Sequence, residues 1–194
     1  MVNIQTLSHD LSHAILDNMD LEGANLARAR IMQASLKKAN LLNANLKYVN
    51  LEESDLSGAN LHGANLSNSN LSKTRLCYAN MRYSILIETN LKSSDLSNCD
   101  LSFAFLQNTN LDCANIDGAF FNETASIEKY SVGFLKNCAV LGIPSATGPR
   151  VVCGKLNLSR DDAFSYIEKR HPNAKREYLF MQAIEKAEAL AVHL

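Results

Sequence analysis

Five histidines (His9, His13, His62, His171, His193) and five cysteines (Cys77, Cys99, Cys113, Cys138, Cys153) are where metal or nucleophilic chemistry would have to start. Neither set has the spacing of a zinc site. His9 and His13 are four apart, but the chain there does not read as a helix that would align them. The glycines between Gly142 and Gly154 lack the order of a phosphate-cradling loop, and no nucleophile elbow is present. Asp55 and Asp95 read as members of outer ladders that support backbone rather than as acid–base groups. No catalytic residue, metal ligand or cofactor site is assigned, and the expectation is a protein that is not an enzyme. An odd number of cysteines without a pairing pattern reads as reduced thiols, hence a cytoplasmic chain.

The 194 residues allow one domain with a sizeable core, or a domain and a small cap. A formal net charge of −1 gives no bias toward nucleic acid or anionic membrane. No apolar run approaches a membrane span, and Met1 to Asp10 lack the basic start and apolar stretch of a secretory signal.

What positions these residues is a repeat. From Leu11 every fifth residue to Phe121 is apolar, 23 consecutive positions and 19 of them leucine. Counting each as position i, position i−2 is small: alanine in 12 of 23 copies, otherwise mostly Ser54, Ser69, Thr74 or Cys99 and their like. Position i−1 is Asn or Asp in 16 of 23. Gly23-Ala24-Asn25-Leu26 and Gly63-Ala64-Asn65-Leu66 show the pattern cleanly.

A period of five excludes ordinary elements. On an α-helix five residues turn by about 140°, so the leucines would circle the axis. On a continuous strand an odd step alternates sides. The chain must therefore bend once per repeat. Within a short extended piece i−2 and i point inward together and i−1 outward, which leaves i+1 and i+2 to turn a corner. Asn, Asp, Ser and Gly near the corner suit turns, because they tolerate unusual backbone angles and bond local backbone. Four corners close a square coil of 20 residues.

The unbroken Ala-Asn/Asp-Leu-x-x motif resembles the pentapeptide-repeat proteins over about residues 7–123. The resemblance implies an all-β solenoid, a right-handed quadrilateral β-helix, rising about 4.8 Å per coil to a rod of roughly 28 Å. Residues 1–123 are assigned to it. Residues 124–194 are expected to form a C-terminal, mainly helical cap, since a solenoid end must be covered. Within that segment Ile143 to Pro149 reads as a loop and Val151-Val152-Cys153 as a short strand. Ser159 reads as the N-cap of a short helix ending before Pro172. A longer helix spans about 173–192 with Phe180, Ile184, Ala187 and Ala191 as its apolar stripe.

Departures from the motif mark candidate function. At i−1, Asn or Asp gives way to Ile15, Arg30, Ser35, Arg75, Ile85, Phe105 and Phe120. Ile85 and Phe105 are 20 apart and so stack on one outer face, as do Tyr83 and Phe103 at the adjoining corner, with Ile87 beside them. Tyr83, Ile85, Ile87, Phe103 and Phe105 form an outward apolar patch, either an interaction surface or the place where the tail docks. The coil charges are mixed, 12 acids and 9 bases between Asp10 and Phe121. The reading is a non-enzymatic protein-protein interaction scaffold with an unidentified protein partner and neither nucleic acid nor membrane. It is a monomer, or a homodimer through the C-terminal segment. The resemblance also allows a DNA-mimicking topoisomerase-binding protein, which the balanced charge disfavours, or a bacterial effector acting on a host protein.

Overall fold

The computed structural model describes residues 10–121, 131–135, 138–145, 148–153, 156–159, 161–163 and 174–192. Residues 10–121 form the expected four-sided coil. Each position i−1 makes a one-residue parallel bridge with the residue 20 further on, from Asp10↔Arg30 to Asp100↔Phe120. The sides are thus ladders of isolated bridges rather than long strands. Leucines at i lie inside: Ile31, Leu51, Leu71, Leu91 and Leu111 form one fully buried column. The small i−2 residues lie between them. Where that residue is Ser or Thr its hydroxyl is satisfied by a position-i carbonyl, either of its own turn, as in Thr74 Oγ1 to Leu71 O at 2.6 Å, or of the coil before, as in Thr89 Oγ1 to Leu66 O at 2.8 Å. Cys99 fills the same slot, and burial pushes its thiol well up, so it stays protonated.

The corners obey one rule that residue type conceals. Every i+2 residue from His13 to Gly118 has φ near +60°, including Arg28, Gln33, Tyr48 and Phe103. With the bond from the i+3 amide back to the i carbonyl (Ala24 N to Leu21 O, 3.0 Å), this is a type II turn pattern. A non-glycine residue in this region is strained. The compensation is a bond from the same residue to the next coil, such as Tyr48 N to Ser67 O at 3.1 Å.

Asn and Asp at i−1 do not supply these angles; their role is to accept. At all 16 such positions Oδ1 takes the N–H of the residue two ahead, the one corner amide that the inter-coil ladder misses. Where Ser35 breaks the motif, Asp17 reaches across a coil and accepts from Lys37 N at 2.9 Å instead. The asparagines also bond to one another along the rod, as in Asn60 Nδ2 to Asn40 Oδ1 and Asn80 Nδ2 to Asn60 Oδ1, both 3.1 Å. Asn60→Ala removes one cap and two ladder bonds, and should lower stability by about 2 kcal/mol in urea unfolding. Asn60→Asp keeps the acceptor and should cost clearly less. Equal costs would show that the cap is not what the motif is for.

The cap differs from expectation. Before any helix comes an antiparallel four-stranded meander, β1 (Ser131–Leu135), β2 (Cys138–Ser145), β3 (Gly148–Cys153) and β4 (Leu156–Ser159), in the order β1-β2-β3-β4. The segment read as a loop is mostly strand. Ile143 pairs with Arg150, Pro144 with Pro149 and Ser145 with Gly148. The two prolines suggested a loop because neither can donate to a ladder. They sit opposite each other at the hairpin end, where the fewest bonds are lost. Ser159 is the N-cap expected of it: its Oγ accepts Asp162 N at 3.2 Å and donates to Asp162 Oδ2 at 2.7 Å. Where that helix stops before Pro172 lies outside the described residues.

The long helix spans Ala174–Ala191. Of the expected stripe Ile184 and Ala187 are buried and Ala191 is exposed, while the side chain of Phe180 lies outside the described residues; Leu179 and Ala183 are buried beside them. It lies over the sheet, with Ala183 backbone directly above Gly142. No helix among the described residues is long and apolar enough to cross a membrane.

The sheet closes the coil end. Ile143 and Val152 are fully buried and continuous with the leucine core. Asn157 Nδ2 donates to Ile116 O, and to Ala119 O at 3.2 Å. In inner coils the carbonyl equivalent to Ala119 O accepts from the coil above, as Ala24 O does from Asn45 N. Asn157 therefore stands in for a further coil. Arg150 holds it there, through Nε to Asn157 Oδ1 and Nη2 to Asn157 O, each 3.0 Å, and pairs with Asp117 at 3.1 Å.

Candidate interaction face

The coil offers four faces, each centred on one column of i−1 residues. The first corner residue, i+1, turns back toward the face before it: Arg82 to Asp100, Lys37 to Asp55, Asp17 to Ser35. The second, i+2, is left beside the face that follows. Each face is then three residues wide.

Three faces are charged. Opposite charges pair along two of them, as in Asp10–Arg30 at 3.8 Å, Glu53–Lys73 at 2.9 Å and Asp55–Arg75 at 3.7 Å, and the third carries the Arg82–Asp100 pair. Asp55 apart, the partners are largely exposed, and the pairs contribute little individually. Burial works against the charge of Asp55. The Ser57 hydroxyl and amide, with Arg75 and Lys37, outweigh it and hold the carboxyl below its usual range. Asp100 is likewise held low against its burial, by Ser102 and Arg82.

The fourth face is different. Its centre runs Asn25, Asn45, Asn65, Ile85, Phe105, and among its fifteen positions in five coils (23, 25, 27 and their equivalents every 20 residues to 107) Lys47 is the single charge. All five residues singled out in the sequence lie on it together. Ile85 and Phe105 form a bridge. Tyr83 and Phe103 stack with centroids 4.8 Å apart and planes 4° from parallel. Ile87 closes the other edge. Tyr83 is 45% and Phe105 47% exposed, and Ile85, Ile87 and Phe103 are half-buried. The cap contacts that are described fall instead on Ile116, Asp117 and Ala119 at the coil end.

Two neighbours escaped sequence reading. The His62 ring tilts against Tyr83 at 5.3 Å, extending the ring ladder by one coil. The Arg82 guanidinium lies 5.2 Å from the Phe103 centroid and 5.8 Å from that of Tyr83, tied to Asp100 at 3.2 Å. Each stands 21 residues before the ring it meets, His62 before Tyr83 and Arg82 before Phe103, one beyond the 20-residue stacking step. Ile15, Tyr48 and Tyr78 are also exposed, but singly and on different sides of the rod.

The sequence model for pentapeptide repeats matches eight copies here, over residues 10–41, 24–63, 54–92 and 89–124. The chain belongs to the pentapeptide-repeat family. Its members fold as right-handed quadrilateral β-helices, which fits this coil of four faces and 20-residue turns. A solved pentapeptide repeat protein from the Arabidopsis thaliana thylakoid lumen is 27% identical, with a TM-score of 0.50 over 52% of this chain and 70% of its own. Another, from Nostoc PCC 7120, is 33% identical, covering 44% of this chain and 66% of its own with a TM-score of 0.35. No curated protein matches the chain. The family match ends at residue 124, so the sheet-and-helix cap of this pentapeptide-repeat protein lies beyond it. One relative comes from a thylakoid lumen, so family membership fixes no compartment.

Proposed function

We propose that this pentapeptide-repeat protein is a non-enzymatic scaffold that docks a protein partner on the apolar half of its fourth face. One observation carries the reading. The Asn25–Asn45–Asn65 column is interrupted at Ile85 and Phe105, side chains without the oxygen that caps the following corner. Each interruption forfeits about 1 kcal/mol of coil stability, so these residues are poor choices for the coil and good ones for contact. Aromatic anchors flanked by uncharged surface are what desolvated protein contacts use. The described cap contacts fall at the coil end, and Tyr83 and Phe105 are exposed, which favours contact with a partner.

The DNA-mimicking alternative calls for a continuous acidic face. Arg30 follows Asp10, and Arg75 sits between Asp55 and Asp95, so the acidic columns are broken.

Photo-cross-linking tests the proposal. A benzophenone residue in place of Phe105 should give discrete protein adducts in extract of the source cells, and one in place of Asn50, on a polar face, should give none. Equal labelling at both positions, or none at either, would contradict it.

A further inference from the structure

We infer that Arg82 sets the specificity of the fourth face, and that the protein segment docked there carries an aspartate or glutamate beside its apolar anchor. This rests on the docking reading above and gives the partner a chemistry. Arg82 directly precedes Tyr83 and so stands at the edge of the patch. Three groups fix its guanidinium: Asp100 at 3.2 Å, the Phe103 ring at 5.2 Å and the Tyr83 ring at 5.8 Å. The other paired cations of the coil are held less closely. The Arg82 side chain is 38% exposed, whereas those of Arg30, Lys37, Lys73 and Arg75 are all 52% or more. Arg28 lies over one ring, that of Tyr48, and no acid among the described residues pairs with it.

Holding the cation does not saturate it. A guanidinium has five N–H donors. Among the described residues Arg82 bonds through Nη1 alone, to Asp100 Oδ2. Asp100 also accepts from the Ser102 amide, at 2.9 Å, and from the Ser102 hydroxyl, so Arg82 is not its sole support. It works as the anchor that sets the direction of the cation. An arginine held this way loses little further side-chain freedom when a partner arrives. Fixed, flat and beside apolar rings, its remaining donors match a carboxylate in charge and in fork geometry. The fourth face has no acid of its own to repel one, its single charge being Lys47. His62 stands one coil before Arg82 in the same corner column and adds a ring N–H to that edge. An acidic side chain on Arg82 and an apolar one on Tyr83, Phe103 and Phe105 would then be read together.

A phage library of random peptides, panned on the full chain, supplies the probe. The expected binders carry Asp or Glu at a fixed spacing from an aromatic residue or leucine. For the tightest of them, fluorescence anisotropy should give a dissociation constant that rises about tenfold or more with Arg82→Gln, and by a similar factor when the peptide's acid becomes its amide. Combining the two changes should add little, because both remove one contact. The change in the peptide leaves the protein untouched, so the test holds even where Arg82→Gln weakens the coil. Binders without an acid, or an affinity that neither change moves, overturn the inference. Phe105→Asn separates it from the docking reading. Binders that need Phe105 and no acid leave docking standing, whereas binders indifferent to Phe105, or no binders at all, remove both.

Discussion

Leu71→Asp is expected to leave no folded coil. Leu71 is fully buried in the middle of the column that runs from Ile31 through Leu51, Leu91 and Leu111. A carboxylate there meets only leucines and small residues, without a cation in reach. The several kcal/mol needed to bury it, or to protonate it, add to the loss of the leucine itself and take up most of the roughly 5–15 kcal/mol that holds a domain of this kind together. Circular dichroism should show loss of the β signal. Leu71→Ala should fold but lower the urea midpoint by an amount equal to about 3 kcal/mol. A soluble Leu71→Asp protein with an unaltered midpoint would mean that the columns are not a packed core.

The second large effect belongs to the cap. A Cβ added at Gly142 would lie 1.9 Å from Ala183 O, 2.7 Å from its carbonyl carbon and 2.9 Å from its Cα. All three are backbone atoms, so no rotamer change relieves the overlap, and the helix must lift from β2. Gly142→Ala should therefore cost about 3 kcal/mol, the upper part of the range for overpacking. Hydrogen exchange should place the loss in Ala174–Ala191, and leave the coil protected. Ala183→Gly should not rescue it, because the collision is with main chain. Rescue, or a variant as stable as the parent, would show that helix and sheet are not in contact there.

The coil was legible because its period is incommensurate with helix and strand, so 23 in-register apolar residues admit one solution, a bend per repeat. The inward roles of i−2 and i and the outward role of i−1 followed. The corner conformation did not, because the left-handed residue at i+2 is fixed by inter-coil bonds and so accepts Arg28, Tyr48 or Phe103 without a signature. For the same reason the expectation that Asn and Asp serve the corner angles was half right: they bond the corner amide, but the unusual angle belongs to another residue. The cap strands were hidden differently. Pro144 and Pro149 look like breakers in isolation, and only their register opposite each other makes them tolerable. The apolar stripe of the long helix was nearly right because it is local, while its partner, Gly142, is not.

The patch itself was visible in the sequence through the 20-residue spacing of Ile85 with Phe105 and Tyr83 with Phe103. What was not visible was that the face around it carries a single charge, Lys47. That requires knowing which face each corner residue joins, as Arg82 pairs with Asp100 on the preceding face while its guanidinium lies against the Tyr83 and Phe103 rings.

The most direct measurement is on Ile85→Asn/Phe105→Asn, which restores the motif where the fourth face breaks it. The new side chains can cap the amides of Ile87 and Gln107 and continue the Asn25–Asn45–Asn65 ladder. If these residues serve contact and not the coil, thermal unfolding should occur at the parent temperature or higher, and cross-linking from a benzophenone placed at the neighbouring Phe103 should disappear. A coil that melts well below the parent, or one that keeps its adducts, would contradict the account.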